Sequence, residues 1–487
     1  VKRLARFLTV ALLLLVAVLA GRTLTLDRRQ LPPGEPAAIE VDALQAAARL
    51  AGALRFPTIS WGDATRRDQA AFVALHDYLR AQFPRAHATL TRETVAGLSL
   101  LYTWTGADPA QRPLLLLGHL DVVPAEPTTS GPWTHPPFAG VVSGGRVWGR
   151  GTLDSKGSVL GLLEAVEALL VAGFKPARTV YLAFGHNEEG DGDASGAAAV
   201  AATLASRGVR NAWLLDEGGL IHDRVPGVAR PVALVGIAEK TAVDLELVAR
   251  APGGHSSMPA PETAVSMIAS AIDRLQHHPM PARLDASNPT RQTLTTLAPD
   301  MSWVLRTAVA NLWLLRPVVT SQLAATPSGN ATIRTTITPT QVTGSPKSNV
   351  IAAEARAVLN ARLLPGDSVE DVIAHLRTHI DDDRVEIRVL GQTRPGSVSP
   401  TGTPEFDRLQ RAIRAVFPDV LVAPFLTIGA TDAREYAAIA PESYRFIPVL
   451  QDGALALIHG VDEHVRIDVY EKMIRAYATI VKELAGG

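Results

Sequence analysis

The stretch RPLLLLGHLDVVP, residues 112–124, decides how the rest of the chain is read. Four leucines in a row leave no polar side, so residues 114–117 predict a strand buried on both faces, as in a parallel sheet covered by helices. That strand runs straight into His119, with Asp121 two residues further on. A titratable pair at the end of the most apolar strand needs a chemical reason, and the neighbouring segments supply one.

Residues 179–184 (TVYLAF) and 212–215 (AWLL) predict two more strands of the same kind. Between 114–117 and 179–184 lies GSVLGLLEAVEALLVAG, where Leu162, Val166, Leu169 and Leu170 recur at helical spacing and Gly173 marks a stop. Strand, helix and strand make a βαβ unit. From about Ala238 the pattern changes. KTAVDLELVAR (240–250), ARAVLNARLL (355–364) and RVEIRVL (384–390) alternate like half-exposed strands, and Val265, Ile268, Ile272 and Leu275 mark an amphipathic helix starting near Pro261. A smaller α+β domain is therefore expected to interrupt the first, which Phe406, Leu409, Ile413 and Val416 resume as a helical stripe. The expected division is a catalytic domain over 41–237 and 395–487, with the insert at 238–394.

The 487 residues hold 47 Lys+Arg against 48 Asp+Glu, so no basic field exists for nucleic acid. With no cysteine, disulfides, thiolate nucleophiles and sulfur-ligated metals are excluded. At the N-terminus Lys2, Arg3 and Arg6 precede an apolar run to Ala20, which predicts export. Residues 1–22 read as a signal peptide, or alternatively as a retained membrane anchor facing outward to the periplasm or exterior, and the proline-rich 23–40 as a linker. The apolar segment 301–319 reads either as a helix packed in the core or between domains, or as an apolar wall for a lipophilic substrate or membrane.

Each predicted strand of the larger domain is followed by ligand-type residues: Gly118-His119-Leu120-Asp121, then GRGTLDSKG with Asp154, GHNEEGDG with Glu188 and Glu189, and Asp216-Glu217-Gly218-Gly219. Ligands of open α/β sheets gather at the carboxyl ends of the strands. So many carboxylates in one crevice repel one another unless protonated or neutralised by cations. Histidine and carboxylate donors suit Zn²⁺, with Co²⁺ or Mn²⁺ also compatible, and more than four donors suggest two ions sharing a bridge. His119 is then a ligand and Asp121 the carboxylate that orients its ring. Of Glu188 and Glu189, one ligates and the other takes a proton from water.

GHLDVVP, GRGTLDSKG, HNEEGDG, DEGG, GGHSS and IHGVDE, with FPTIS at 56–60 and TIGATD at 427–432, together resemble the M20 metallopeptidases. The resemblance is nearest to their carboxypeptidase S and PM20D1-like branch (N-fatty-acyl-amino-acid synthase/hydrolase). It implies a di-zinc exopeptidase fold with an inserted lid or dimerisation domain and two Zn²⁺ per subunit. It assigns His119 and Glu217 to one ion, Glu189 and His459 to the other, Asp154 to the bridge, Glu188 to the general base and Asp121 to the orienting acid. Whether Asp216 or Glu217 faces the ion stays open, with Glu217 preferred. The resemblance also implies a cis peptide at Asp154-Ser155, His255 as an oxyanion stabiliser reaching over from a neighbouring subunit, and Asn349 and Arg362 as grips on a substrate carboxylate. Ala352 departs from the family's usual proline after NVI. The implied reaction is metal-assisted hydrolysis releasing an amino acid from a small peptide or an N-acyl amino acid. A binding protein on a retired hydrolase scaffold is the rival reading, and a serine hydrolase is disfavoured because no G-x-S-x-G occurs.

Overall fold

The computed structural model describes residues 2–61, 63–125, 132–190, 195–451 and 453–486. Val1 of the N-terminal segment, and Asp191 and Gly192 of the HNEEGDG motif, lie outside them. A nine-stranded sheet organises the larger part of the chain. In spatial order its strands are Thr91–Val95, Ser99–Trp104, Val180–Gly185, Leu114–His119, Trp213–Asp216, Glu442–Arg445, Val232–Glu239 and Leu421–Thr427, with Ile221–His222 beside Val232–Glu239. The four central strands from Val180–Gly185 to Glu442–Arg445 run parallel.

The leucine run behaves as its composition requires. Leu114 and Leu116 pack on one face, with the helices Lys156–Val171 and Ile467–Ala485, while Leu115 and Leu117 pack on the other, with the helix Ala197–Ser206. Each fully buried leucine contributes roughly 1.5–3 kcal/mol relative to an exposed one. The strand that carries His119 is thus anchored from both sides. The expected βαβ unit is present: Leu114–His119 pairs in parallel with Val180–Gly185, and Gly173, at φ 74°, ends the connecting helix.

After Glu239 the chain leaves the large sheet at Lys240 and builds a four-stranded antiparallel sheet, Thr336–Thr343, Glu354–Leu363, Thr241–Arg250 and Val385–Gln392. The helices Ala264–His277 and Val369–Ile380 close a second core over it. Its edge strand Thr336–Thr343 is invisible to alternation, because the register shifts between Pro339 and Gln341 and proline is tolerated only at such an edge.

Two expectations need correction. Residues 23–40 are irregular but are no free tether. The Gln30 side chain pairs with both the N–H and the C=O of Val422 on the exposed edge strand, Gly34 donates to Arg411 O, and Ala37 donates to Thr479 Oγ1. An unpaired strand edge is thereby covered. The segment 301–319 is not a helix packed in the core either. The buried Asn311 breaks it into Trp303–Ala310 and Leu312–Ala324, and much of its apolar surface faces outward.

Candidate metal centre

His119 ends its strand in a fully buried position, and its backbone fixes its ring. Nδ1 donates to the Asp121 carbonyl at 2.9 Å, with the Asp121 carboxylate 3.3 Å away. A carbonyl can only accept, so Nδ1 carries a proton, and Nε2 is the nitrogen that offers a lone pair once the ring is neutral. That Nε2 lies 2.9 Å from Asp154 Oδ1 and 3.3 Å from Glu217 Oε1. Across the crevice His459 Nε2 lies 2.9 Å from Glu189 Oε1 and 3.1 Å from Asp154 Oδ2. One carboxylate, Asp154, therefore touches both histidines, one with each oxygen.

Local sequence explains each placement. The Asp154-Ser155 peptide is cis. Ser155 starts the helix Lys156–Val171 without a side-chain cap, and its Oγ accepts from His119 N at 3.1 Å instead. Asp154 does not cap that helix, which leaves its oxygens for the histidines. In DEGG, Gly218 turns at φ 102°, and a Cβ on Gly219 would lie 2.3 Å from Leu234 O and 2.6 Å from Arg445 O. Both Asp216 oxygens accept backbone N–H groups, from Glu217 and Ala433, so Glu217 and not Asp216 faces His119. Asp121 has a second task that the sequence does not disclose. Its two oxygens accept the N–H groups of Glu188 (3.2 Å) and Glu189 (3.0 Å), fixing the turn that carries the adjacent glutamates.

Glu463, at the end of IHGVDE, went unnoticed in the sequence. Completely buried, it accepts from Arg150 Nη1 (2.7 Å), Gly151 N (3.1 Å) and Leu153 N (2.7 Å), and so ties the loop that holds Asp154 to the segment that holds His459. The clue available was Arg150, a charge within a glycine-rich loop that must be matched if buried. Glu463→Gln leaves the Arg150 guanidinium buried and uncompensated, and the expected loss is about 3–5 kcal/mol, measured as a lower denaturant midpoint at unchanged m-value.

The electrostatics describe a centre short of positive charge. Burial pushes Glu217 up to about 7, and burial, together with Glu217, Asp432 and Glu189, holds Glu188 well above the carboxylate range. Hydrogen bonds to Asp154 and Glu189 push His459 up to about 10. For His119, burial alone would depress the ring, but Glu217, Asp121 and Asp154 outweigh it and hold the imidazole well above its ordinary value. Glu217 Oε2 is buried with no hydrogen-bond partner. Among the described residues three groups have ligand atoms close enough to share a cation: His119–Asp154–Glu217, His119–Glu188–Glu189 and Asp154–Glu189–His459. Oxygen and imidazole donors around an orphaned carboxylate oxygen fit a divalent metal.

The sign of the pH dependence follows. In the metal-free chain Glu217 and His459 keep protons that the unfolded chain has released above its ordinary values of 4.5 and 6.5. Both contributions are fully present at low pH and fade as pH rises through about 7 and about 10. Ligation requires these groups deprotonated. The gap in Tm between metal-loaded and chelated protein is therefore expected to widen from acidic to alkaline pH, measured by calorimetry in matched buffers.

The three sequence-predicted substrate residues lie elsewhere. His255 and Asn349 are exposed on a short ribbon, where His255 faces Val350 in register and Ser256 donates to Asn349 O. Arg362 is half-buried at the other end of its strand, in register with Ala242 next to the crossing between the sheets. Among the described residues no hydrogen bond or ion pair joins any of the three to the histidine–carboxylate cluster.

Comparison with known proteins places this geometry. The model of peptidase family M20/M25/M40 matches residues 115–483. A probable carboxypeptidase S-like protein of Dictyostelium discoideum is 40% identical over 446 residues, covering 90% of this chain and 85% of that protein. The N-fatty-acyl-amino acid synthase/hydrolase PM20D1 of Mus musculus is 36% identical over 433 residues, 88% of this chain and 85% of that one. Human carnosine dipeptidase 1 superposes with a TM-score of 0.60 over 91% of this chain and 96% of its own at 16% identity, a likeness of fold. The chain belongs to peptidase family M20, as a metallopeptidase or amidohydrolase that works with a divalent metal.

Proposed function

We propose that this chain is an exported dinuclear zinc amidohydrolase, which releases an amino acid with a free α-carboxylate from a peptide or an N-acyl amino acid. The observation that carries the reading is Asp154, whose two oxygens reach His119 and His459 on opposite sides. His119 and Glu217 would hold one ion, Glu189 and His459 the other, with Asp154 shared. Bound there, the ions supply Lewis acidity and make water a usable nucleophile near neutral pH.

The chain's own residues do the rest. Glu188, half-buried and with its carboxyl held above the ordinary range, takes in its ionised form the proton of the attacking water and returns it to the leaving amine. Asp121 fixes the His119 ring and the Glu188 backbone together. Arg362 offers a planar, two-pronged donor suited to the α-carboxylate. His255 and Asn349 fit a homodimer. Asn349 stands thirteen residues before Arg362 along near-extended chain, a separation of up to roughly 40 Å, so the ribbon is suited to a second copy's site, where His255 stabilises the oxyanion.

Export with retention as an anchor is supported at the N-terminus. The helix Lys2–Leu24 is apolar, long enough to span a bilayer and, ahead of its last turns, uncovered by the rest of the chain, with Lys2, Arg3 and Arg6 at its start. Basic residues stay on the cytoplasmic side, which puts the folded part outside. The test is elemental analysis of the purified chain, followed by dipeptides and N-acyl amino acids assayed with and without a chelator. Two zinc ions per chain with chelator-sensitive amino acid release are the expected result. Release insensitive to chelation, or a metal-loaded chain that binds without turnover, would sink the reading. The 36% identity to a synthase/hydrolase of N-fatty-acyl amino acids favours the acyl substrate as a second reading.

A further inference from the structure

The helices Trp303–Ala310 and Leu312–Ala324 carry an apolar surface that the metal centre does not use. Trp303 is 54% exposed, Val304 74%, Trp313 58% and Val318 56%. In a water-soluble surface such a concentration of large apolar side chains needs a covering partner. The N-terminal helix identifies it.

These helices are built onto the end of the apolar N-terminal helix. Asn311 Nδ2 donates to Leu19 O (3.2 Å), Arg22 Nε to Ala310 O (3.2 Å), Arg306 Nε to Thr23 O (2.9 Å), and Thr23 Oγ1 to Thr307 Oγ1 (3.3 Å). Whatever covers the outward side chains of Lys2–Leu24 therefore reaches these two helices at its edge. Tryptophans at that level are suited to the boundary between acyl chains and headgroups. Between the two helices and residues 22–29 lies a cavity of about 520 Å³. Arg22, Arg29, Arg291 and Arg316 line it against a single acid, Asp27, with Trp313 at its apolar side. Among the described residues none of the four guanidinium groups is held in an ion pair. Arginine's planar fork matches a phosphodiester.

We infer that the exposed apolar side chains of the helix pair Trp303–Ala324 dip into the leaflet beside the N-terminal helix, and that the arginine-lined cavity holds the anionic headgroup of a phospholipid in that leaflet. This rests on the anchor reading above, because a leaflet must lie beside the helix. The helix pair and the anchor together fix the orientation of the folded part on the membrane. Anionic lipid adds attraction at short range that salt weakens.

The chain has no cysteine, so single cysteines report without background. The full chain is reconstituted in phosphatidylcholine vesicles, with and without phosphatidylglycerol, carrying a fluorophore at Leu13→Cys, Val304→Cys, Val318→Cys or, as a control far along the chain on an exposed helix face, Val171→Cys. The expected result is quenching by brominated acyl chains at 13, 304 and 318 and none at 171. Quenching at 13 without quenching at 304 and 318 overturns this inference and leaves the anchor intact; no quenching at 13 overturns the anchor and the inference with it. For the cavity, phosphatidylglycerol is expected to raise Tm, and Arg291→Gln with Arg316→Gln to abolish that rise while 304 and 318 stay quenched. A rise that survives the double substitution, or one that soluble glycerol phosphate reproduces, overturns the headgroup assignment.

Discussion

Replacing Glu188 by glutamine is expected to lower turnover by about 10²- to 10⁴-fold, the span of a lost general base, while metal content and substrate affinity stay close to those of the parent. The glutamine is nearly isosteric, and Asp121 still accepts the N–H of residue 188, so the turn keeps its shape. What disappears is the proton acceptor itself, a carboxyl group that burial, Glu217, Asp432 and Glu189 hold well above the ordinary carboxylate range. The measurement is kcat and KM on one N-acyl amino acid beside elemental analysis of the same preparation. A variant that loses metal in proportion to activity would assign Glu188 to ligation, and one that keeps its turnover would remove it from the chemistry.

The division between what could and could not be read in advance has physical causes. A strand buried on both faces has a composition no other element shares, so 114–117 announced the parallel sheet, and its carboxyl end announced His119. The pairs Glu188-Glu189 and Asp216-Glu217 stood out because each follows such a strand, but strand position left open which member of each pair does what, and only the motif likeness favoured Glu217. His459 follows only a short helix, Ala454–Leu457, at φ 60°, and no periodicity points to it; the motif likeness alone did. The second role of Asp121 was hidden because it acts on backbone N–H groups, which carry no sequence signature, and Glu463 was hidden in most of its contacts for the same reason, with Arg150 as its one side-chain clue. Residues 23–40 misled because proline-rich composition describes the absence of regular structure, not the absence of contacts. The apolar run 301–319 left two readings open, a packed helix or an apolar wall facing substrate or membrane, for a related reason. Composition told how apolar the segment is, while the buried Asn311 that breaks it into two helices, bonded to Leu19 and Thr307, is a single polar residue in a greasy stretch.

Asp154→Asn should be the more damaging substitution, because it removes charge from two places at once. In the parent one oxygen lies against His119 and the other against His459, and both histidines hold the Asp154 carboxyl below its ordinary range despite its burial. An asparagine offers one neutral oxygen to one side and a donor NH₂ to the other, and a donor cannot face a ligand position. Each candidate ion then keeps only one carboxylate and one histidine, Glu217 with His119 and Glu189 with His459. Turnover is expected to fall by about 10³-fold or more, corresponding to several kcal/mol of charge stabilisation. Unlike Glu188→Gln, the loss should come with metal: dialysed protein should hold fewer ions than the parent, and added zinc should restore part of the activity. That contrast separates the two carboxylates by role. If Asp154→Asn retains a full metal complement and loses only turnover, the carboxylate is not a bridge, and the pairing of His119 with His459 across it needs another explanation.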